Sequence, residues 1–280
     1  MKTALALGTF DGVHIGHRAV LNLPSDHRRI AVIFARPPKA EADPSVKCIT
    51  TYEEKCRILK TIGIDEIETL DFAQVCDLSP LEFLNRLNQE YSPSVISCGF
   101  NYRFGKDASG NAALISDFCR ENGITCYCRE PVTANGRPVS STVIRESLKA
   151  GEIAAANALL SEPFSYTSVI MDGDHRGRTI GFPTINQPYP SILTPLKNGV
   201  YETVVTVEDR QYRGLTNLGC RPTFPTDFII SETYLHGFSG NLYGKTARVE
   251  PVRFLREEKK FASVAELKAQ IERDLLQITG

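Results

Sequence analysis

Apolar and polar positions along the first half of the chain follow two periods in turn. Short apolar runs at Thr3–Leu7, Arg29–Phe34, Ile67–Leu70 and Ser94–Ser97 read as strands. Between them the spacing is helical. One helix opens near His14, and a second spans 51–62 with Tyr52, Cys56, Leu59 and Ile62 on its apolar stripe. A third is started by Ser79 as N-cap with Pro80 at the first helical position. Strand–helix alternation predicts a parallel sheet with helices on both faces. From Thr142 to Leu160 the pattern is helical with a break at Ala150–Gly151, and it ends at Glu162–Pro163. Beyond that point the runs FSYTSVIM, GVYETVVTV, YRGLTNLG, FIISETYLH and ARVEPVRFL follow one another closely, separated by Gly and Pro. That pattern predicts a small antiparallel barrel. Ser263–Ile278 closes the chain as an amphipathic helix, with Ser263 and Glu266 in capping-box spacing and Val264, Leu267, Ile271 and Leu275 as its stripe. The expected domains are therefore 1–157 and 163–280.

Composition narrows the classes. A chain of 280 residues has room for one large domain or two ordinary ones. With 32 basic and 33 acidic residues, bulk electrostatic attraction to nucleic acid or to an acidic membrane is not expected. No apolar run is long enough to span a bilayer. Met1–Gly8 briefly resembles a signal peptide, but the run stops at Gly8 and Asp11 follows, so it reads as the first strand. The eight cysteines are scattered without a C-x-x-C pair. Free thiols in the cytoplasm are expected, rather than a disulfide framework or a zinc site.

Two segments carry candidate chemistry. Gly8-Thr9-Phe10-Asp11-Gly12-Val13-His14-Ile15-Gly16-His17 follows the first strand directly. Glycines there let backbone N–H groups approach a phosphate, and histidines three apart share one face of an incipient helix. In the second half, Gly177-Arg178-Thr179-Ile180-Gly181-Phe182-Pro183-Thr184-Ile185-Asn186 places Thr184 and Asn186 on one side of an extended segment. Neutral oxygen ligands of this kind suit Mg²⁺ bridging nucleotide phosphates. His27, His175 and His236 are expected in loops or on the surface, and the Arg256–Lys260 charge run on a solvated face.

His14-Ile15-Gly16-His17 resembles the HIGH signature of class I aminoacyl-tRNA synthetases and related nucleotidylyltransferases. The synthetases' second, Lys-Met-Ser-Lys-Ser-like loop has no counterpart, since the methionines are Met1 and Met171. The longer string resembles the start of the prokaryotic bifunctional riboflavin kinase/FMN adenylyltransferase (FAD synthetase) family. Gly99-Phe100-Asn101-Tyr102-Arg103-Phe104-Gly105 and Ser140-Ser141-Thr142-Val143-Ile144-Arg145 resemble that family's next two motifs. The Gly177–Asn186 string resembles its flavokinase signature, followed in order by Asn198–Tyr201, Asn217–Thr223, Glu232 and Asn241–Gly244.

The resemblance implies an α/β fold. A Rossmann-like nucleotidylyltransferase domain would precede a six-stranded antiparallel barrel with a C-terminal helix beside the flavin site. It implies ATP and phosphate contacts from Gly8, Thr9, Phe10, Asp11, Gly12, Gly16, Asn101, Arg103, Ser140, Ser141 and Thr142, with His14, His17 and Arg145 stabilising charge during adenylyl transfer. In the kinase half it implies contacts from Gly177, Arg178, Gly181, Phe182, Pro183, Gly199, Tyr201, Asn217 and Arg221. Thr184 and Asn186 would hold Mg²⁺, and Glu232 would be the general base. Substrates would be ATP, riboflavin and FMN, the last product FAD, with neither nucleic acid nor membrane as partner. The chain departs from the family in its short Arg18–Arg28 segment, in Pro37 where the family has histidine, and in Tyr234 after Glu232. A kinase with a degraded adenylyltransferase half and a non-catalytic flavin- or nucleotide-binding regulator stay open as alternatives.

Overall fold

The computed structural model describes residues 1–173, 176–220 and 229–279. The chain divides into two compact units, Met1–Thr142 with Leu159–Glu162, and Val143–Ala158 with Pro163–Gly280. In chain order the elements are β1 (Thr3–Leu7), α1 (Ile15–Leu21), β2 (Arg28–Phe34), α2 (Pro38–Ala42), α3 (Tyr52–Thr61), β3 (Glu66–Leu70), α4 (Phe72–Val75), α5 (Pro80–Tyr91), β4 (Val95–Gly99), α6 (Ala112–Glu121), β5 (Thr125–Arg129) and a hairpin of β6 (Thr133–Ala134) and β7 (Arg137–Pro138). Then come α7 (Ser141–Ala150), α8 (Ile153–Leu159), β8 (Tyr166–Val169), α9 (Arg176–Thr179), β9 (Thr184–Pro188), β10 (Gly199–Val207), β11 (Arg210–Cys220), β12 (Ile229–Leu235), β13 (Thr246–Arg256) and α10 (Val264–Thr279).

The first unit is built on a five-stranded parallel sheet of order β3-β2-β1-β4-β5. Every residue of β1 is buried, which is why this strand reads as an unbroken apolar run rather than an alternation. Its Leu5 and Leu7 meet α5 and α6 through Leu84, Leu87, Ile115 and Phe118. On the opposite face the small Ala4, Ala6 and Ala31 lie under Val20 and Leu21 of α1 and Ile58 and Leu59 of α3. Ser79 caps α5 with Pro80 at the first turn, as the sequence predicts, and Glu82 completes a capping box. The pattern did not predict α6 or β5. β5 is an edge strand of partly exposed residues, so it lacks the apolar run that marks a central strand. The stripe of α3 also differs from expectation. Leu59 is buried as expected, but Tyr52 is 37% exposed, and Lys55 and Ile58 share the buried face.

The second unit holds a six-stranded antiparallel sheet of order β8-β13-β10-β11-β12-β9. The Gln187 carboxamide on β9 donates to the Ser168 and Ala247 carbonyls of β8 and β13, and the Ser168 hydroxyl donates to the Pro188 carbonyl, so the first and last strands are tied into a nearly closed barrel. β10 alternates, with Tyr201, Thr203, Val205 and Val207 buried. Part of the interior is polar. Tyr166, Ser231, Thr233, Thr216 and Thr203 form a chain of hydroxyl hydrogen bonds, so buried oxygens find partners without water.

α10 docks on the outside of the barrel. Ile271, Leu275 and Ile278 pack on Val200, Leu215, Tyr234 and Leu255. The helix docks through its C-terminal half, and Val264, expected in the stripe, is 63% exposed. Ser263 caps the helix, while Glu266 reaches back to the Ala262 amide, one residue earlier than a capping box requires. The Arg256–Lys260 run is exposed from Glu257 to Lys260, as the sequence suggested, though its first three members have partners. Arg256 pairs with the buried Asp274, Glu257 with Lys197, and Glu258 accepts from Asn217. His236 is exposed as expected, but His27 sits in a loop and is buried; His175 lies outside the described residues.

Candidate active sites in the two units

Strand order in the first sheet reverses between β1 and β4, and ligands of open α/β sheets bind in the crevice outside the strand ends at such a point. The loop after β1 lies there. It is held by backbone geometry that few sequences satisfy. Gly12 has φ +82, and a Cβ on it would press on Ile49 at 3.0 Å; Phe10 and Val13 also take positive φ. The Asp11 carboxylate accepts from the Ile49 and Thr50 amides at 2.9 and 3.3 Å, so it anchors the loop from within. Ser141, at the start of α7, donates to the Asp11 carbonyl at 3.0 Å. Ser161 donates its amide and its hydroxyl to the Val13 carbonyl.

His14 is the N-cap of α1, its Nδ1 accepting from the His17 amide at 3.2 Å. An accepting Nδ1 puts the proton on Nε2 and leaves a donor on the ring's outer edge. The two imidazoles stack with centroids 3.5 Å apart. Gly16 makes room, since a Cβ there would lie 3.1 Å from the His14 ring. Burial, then the neighbouring His14, then Lys55 hold the His17 pKa well below its ordinary 6.5. Its Nδ1 is buried without a hydrogen-bond partner.

A cavity of about 380 Å³ opens at the carboxyl ends of β2, β3 and β4, walled by Phe34, Phe72, Phe83, Tyr102 and Phe104. Tyr102 and Phe104 stack with centroids 5.6 Å apart, and Phe34 and Phe72 meet edge-on at 6.0 Å. Gly105, φ +69, must be glycine, because a Cβ would strike Pro80 at 2.9 Å. Arg103 lines the cavity; Asn101 is exposed beside Gly99. Flat aromatic walls of this kind suit a planar ring system. The sequence reading named Asn101 and Arg103 but missed this cavity, whose walls come from four separate segments. Ser140, Ser141 and Thr142 sit at the head of α7; Arg145 is a turn further on, in the second unit.

In the barrel, strand register assembles the second site. Asn186 on β9 faces Glu232 on β12, and Glu232 faces Asn217 on β11. Directly opposed residues have Cβ atoms about 5 Å apart, so these three side chains form one row. Thr184 lies in the same outer face, opposite Tyr234, whose ring meets Phe182 edge-on at 5.6 Å. The Asn186 carboxamide is wedged against the backbone, for a Cβ on Gly173 would come within 2.3 Å of it. Thr184 and Asn186 thus offer two neutral hard oxygens beside a carboxylate, a set that fits Mg²⁺.

Next to this row is a cavity of about 270 Å³, lined by Arg178, Pro183, Thr184, Phe238, Asn241 and Tyr243. Arg178 donates to the Tyr243 hydroxyl at 3.2 Å and lies over its ring. Gly177 closes the turn that leads to Arg178. The Phe182 amide donates to the Gly177 carbonyl at 2.8 Å, and a Cβ on Gly177 would lie 2.2 Å from the Phe182 oxygen. Gly181 takes φ +88, and Gly199 backs onto Arg256. Tyr201, expected at the ligand, is fully buried, with its hydroxyl on the Lys197 carbonyl and its ring on Phe254. Arg221 lies outside the described residues. Glu258, which the sequence places in a solvated run of charges, holds the end of the row through Asn217 at 3.0 Å.

Each unit carries a candidate site of its own, the arrangement of a two-headed transferase. Comparison with known proteins agrees in both halves. The FAD synthetase family model matches residues 1–143 and the riboflavin kinase family model residues 160–279. A protein of Bacillus subtilis (strain 168) named bifunctional riboflavin kinase/FMN adenylyltransferase is 31% identical over 98% of this chain and 90% of its own. One of the same name from Escherichia coli (strain K12) is 33% identical over 97% and 90%. A solved structure from Streptococcus pneumoniae, named a macrolide-efflux protein, superimposes with TM-score 0.90 at 28% identity, covering 98% of this chain and 93% of that one. No helix among the described residues is long and apolar enough to cross a membrane. The chain belongs to the bifunctional riboflavin kinase/FMN adenylyltransferase family.

Proposed function

We propose that the chain performs both reactions of its family, each in one unit. The barrel phosphorylates riboflavin with ATP, and the parallel α/β unit joins the AMP of a second ATP to FMN, giving FAD and pyrophosphate. The observation that carries the kinase reading is the row Asn186–Glu232–Asn217 beside a cavity lined by Arg178, Pro183 and Thr184. Glu232 takes the proton of the riboflavin 5′-hydroxyl as it attacks the γ-phosphate. Asn217 and Glu258 hold the far end of the row. Mg²⁺, held by Thr184 and Asn186, supplies charge neutralisation at the phosphates when bound.

In the other unit the aromatic cavity takes the flavin ring, and the loop after β1 takes the triphosphate. The FMN phosphate attacks the α-phosphate in line, and pyrophosphate leaves; no covalent enzyme intermediate is needed. The His14 Nε2–H, the neutral His17 beside it and the backbone amides at the start of α1 stabilise the charge that develops. Ser141 fixes the loop through the Asp11 carbonyl. Ser140 and Thr142, at the head of α7, add donors for phosphate oxygens.

The test is a time course of purified protein with riboflavin, ATP and Mg²⁺, with the flavins separated by chromatography. FMN appearing first and FAD after it is the expected result. FMN without FAD would remove the adenylyltransferase half of the proposal. Riboflavin unchanged, with supplied FMN also unconverted, would remove both and leave a binding protein.

A further inference from the structure

Lys55 is a charged side chain where a core residue belongs. It lies on the buried face of α3 with Ile58 and Leu59, and is 2% exposed. Its ammonium donates to the backbone carbonyls of Phe34 at 2.6 Å, Ala35 at 3.1 Å and Thr9 at 3.3 Å. Three carbonyls match the three donors of an ammonium, so the buried group is satisfied. The carbonyls come from two places that matter. Thr9 belongs to the loop after β1, and Phe34 walls the aromatic cavity at the end of β2. One side chain therefore ties the expected triphosphate loop to the expected flavin wall.

We infer that Lys55 is a positioning residue for adenylyl transfer, setting the distance and angle between the bound FMN phosphate and the α-phosphate of ATP. This rests on the adenylyltransferase reading above. An apolar residue would fill the same space but leave the three carbonyls without this donor. A buried ammonium costs desolvation that such a residue avoids, and what it adds is direction: three backbone oxygens aimed at one point. It also adds charge. Burial lowers the Lys55 pKa, while Asp11, Cys48 and Cys56 oppose the shift. The same ammonium is one of the groups that lower the pKa of His17, after burial and His14.

The test compares Lys55→Met, which keeps the length and loses donors and charge, with Lys55→Arg, which keeps both in a different shape. Full-length protein is assayed for FMN to FAD and for riboflavin to FMN in the same preparation. Misplacing reacting groups by about 1 Å costs on the order of 10²-fold. Lys55→Met is expected to lower kcat for FAD formation by roughly that factor, with KM for ATP and FMN changed less than about fivefold, and Lys55→Arg to recover part of kcat. Riboflavin phosphorylation should be unchanged in both. His17, followed by NMR of histidine-labelled protein, should titrate at higher pH in Lys55→Met. Wild-type protein that makes no FAD would sink the adenylyltransferase reading itself. Active wild type with Lys55→Met keeping kcat within threefold would overturn the positioning role alone. So would loss that lies wholly in KM, or a first unit that no longer folds in Lys55→Met at saturating ATP, since Lys55 would then serve binding or folding.

Discussion

Asp274 offers the sharpest test of how α10 is held. It is fully buried and accepts from Arg256 through Nε at 2.9 Å and Nη2 at 2.8 Å, both on one oxygen. Gln270 donates to its other oxygen at 2.8 Å. Asp274→Asn removes the charge while keeping the shape. Breaking a buried pair from one side costs about 3–5 kcal/mol, because the remaining charge stays desolvated. The Arg256 side chain is 24% exposed, so water relieves part of this and the expected loss is about 3 kcal/mol. For a unit of this size that lowers the thermal transition by on the order of 10 °C. Differential scanning calorimetry of the full chain reads it as a shift of one transition, with the other fixed. Riboflavin kinase activity should fall at temperatures where α10 undocks, because Tyr234 lies under that helix two residues from Glu232. An apolar replacement of both partners, Arg256→Met with Asp274→Leu, should regain most of the loss. A shift below about 2 °C for Asp274→Asn would mean that the pair contributes nothing net and that Ile271, Leu275 and Ile278 alone hold the helix.

Glu232→Gln should lower kcat for FMN formation by about 10²–10⁴-fold with KM for riboflavin little changed, while supplied FMN is still converted to FAD. His14→Ala should do the reverse, and should also destabilise the first unit by about 1 kcal/mol through loss of the α1 cap. Gly177→Ala should raise KM for ATP in the kinase reaction, since its Cβ would overlap the Phe182 carbonyl. His17 predicts a pH effect on stability. Its folded pKa is depressed, so at pH below 6.5 the unfolded state binds the proton and the folded state does not. Stability of the first unit should therefore be full above 6.5 and fall by up to about 1.4 kcal/mol per pH unit below it, and His17→Asn should flatten that slope in urea titrations.

The sequence was most legible where local chemistry and packing agree. Ser79-Pro80 starts a helix because one side chain and one ring settle its first turn, and β10 alternates because one face fills the barrel. The motif glycines were legible for the same reason, since the geometry at Gly12, Gly105 and Gly177 excludes a Cβ. What escaped was whatever depends on distant partners. Lys55 reads as a solvent-facing lysine until β2 and the loop after β1 bring their carbonyls to it. The aromatic cavity has no local signature. Glu258 sits in a run of charges that looks solvated, yet it ends the row begun by Asn186. Tyr201 lies in a motif that resembles a ligand site, and its alternation with Thr203 and Val205 places it inside the barrel.

β12 divides its labour by parity. Odd positions Ser231 and Thr233 send hydroxyls inward to the closed interior chain, and the even position Glu232 stands outside between Asn186 and Asn217. A strand shifted by one residue would bury a carboxylate among hydroxyls that already have partners and leave a threonine at the position proposed for the base. Misfolding of that kind is therefore costly and inactive at once. A change on the outer face, by contrast, leaves the interior chain of hydroxyls intact. Tyr234 in place of the histidine common in the family is a change of this sort. The barrel can keep its inheritance on one side of a strand while its chemistry drifts on the other.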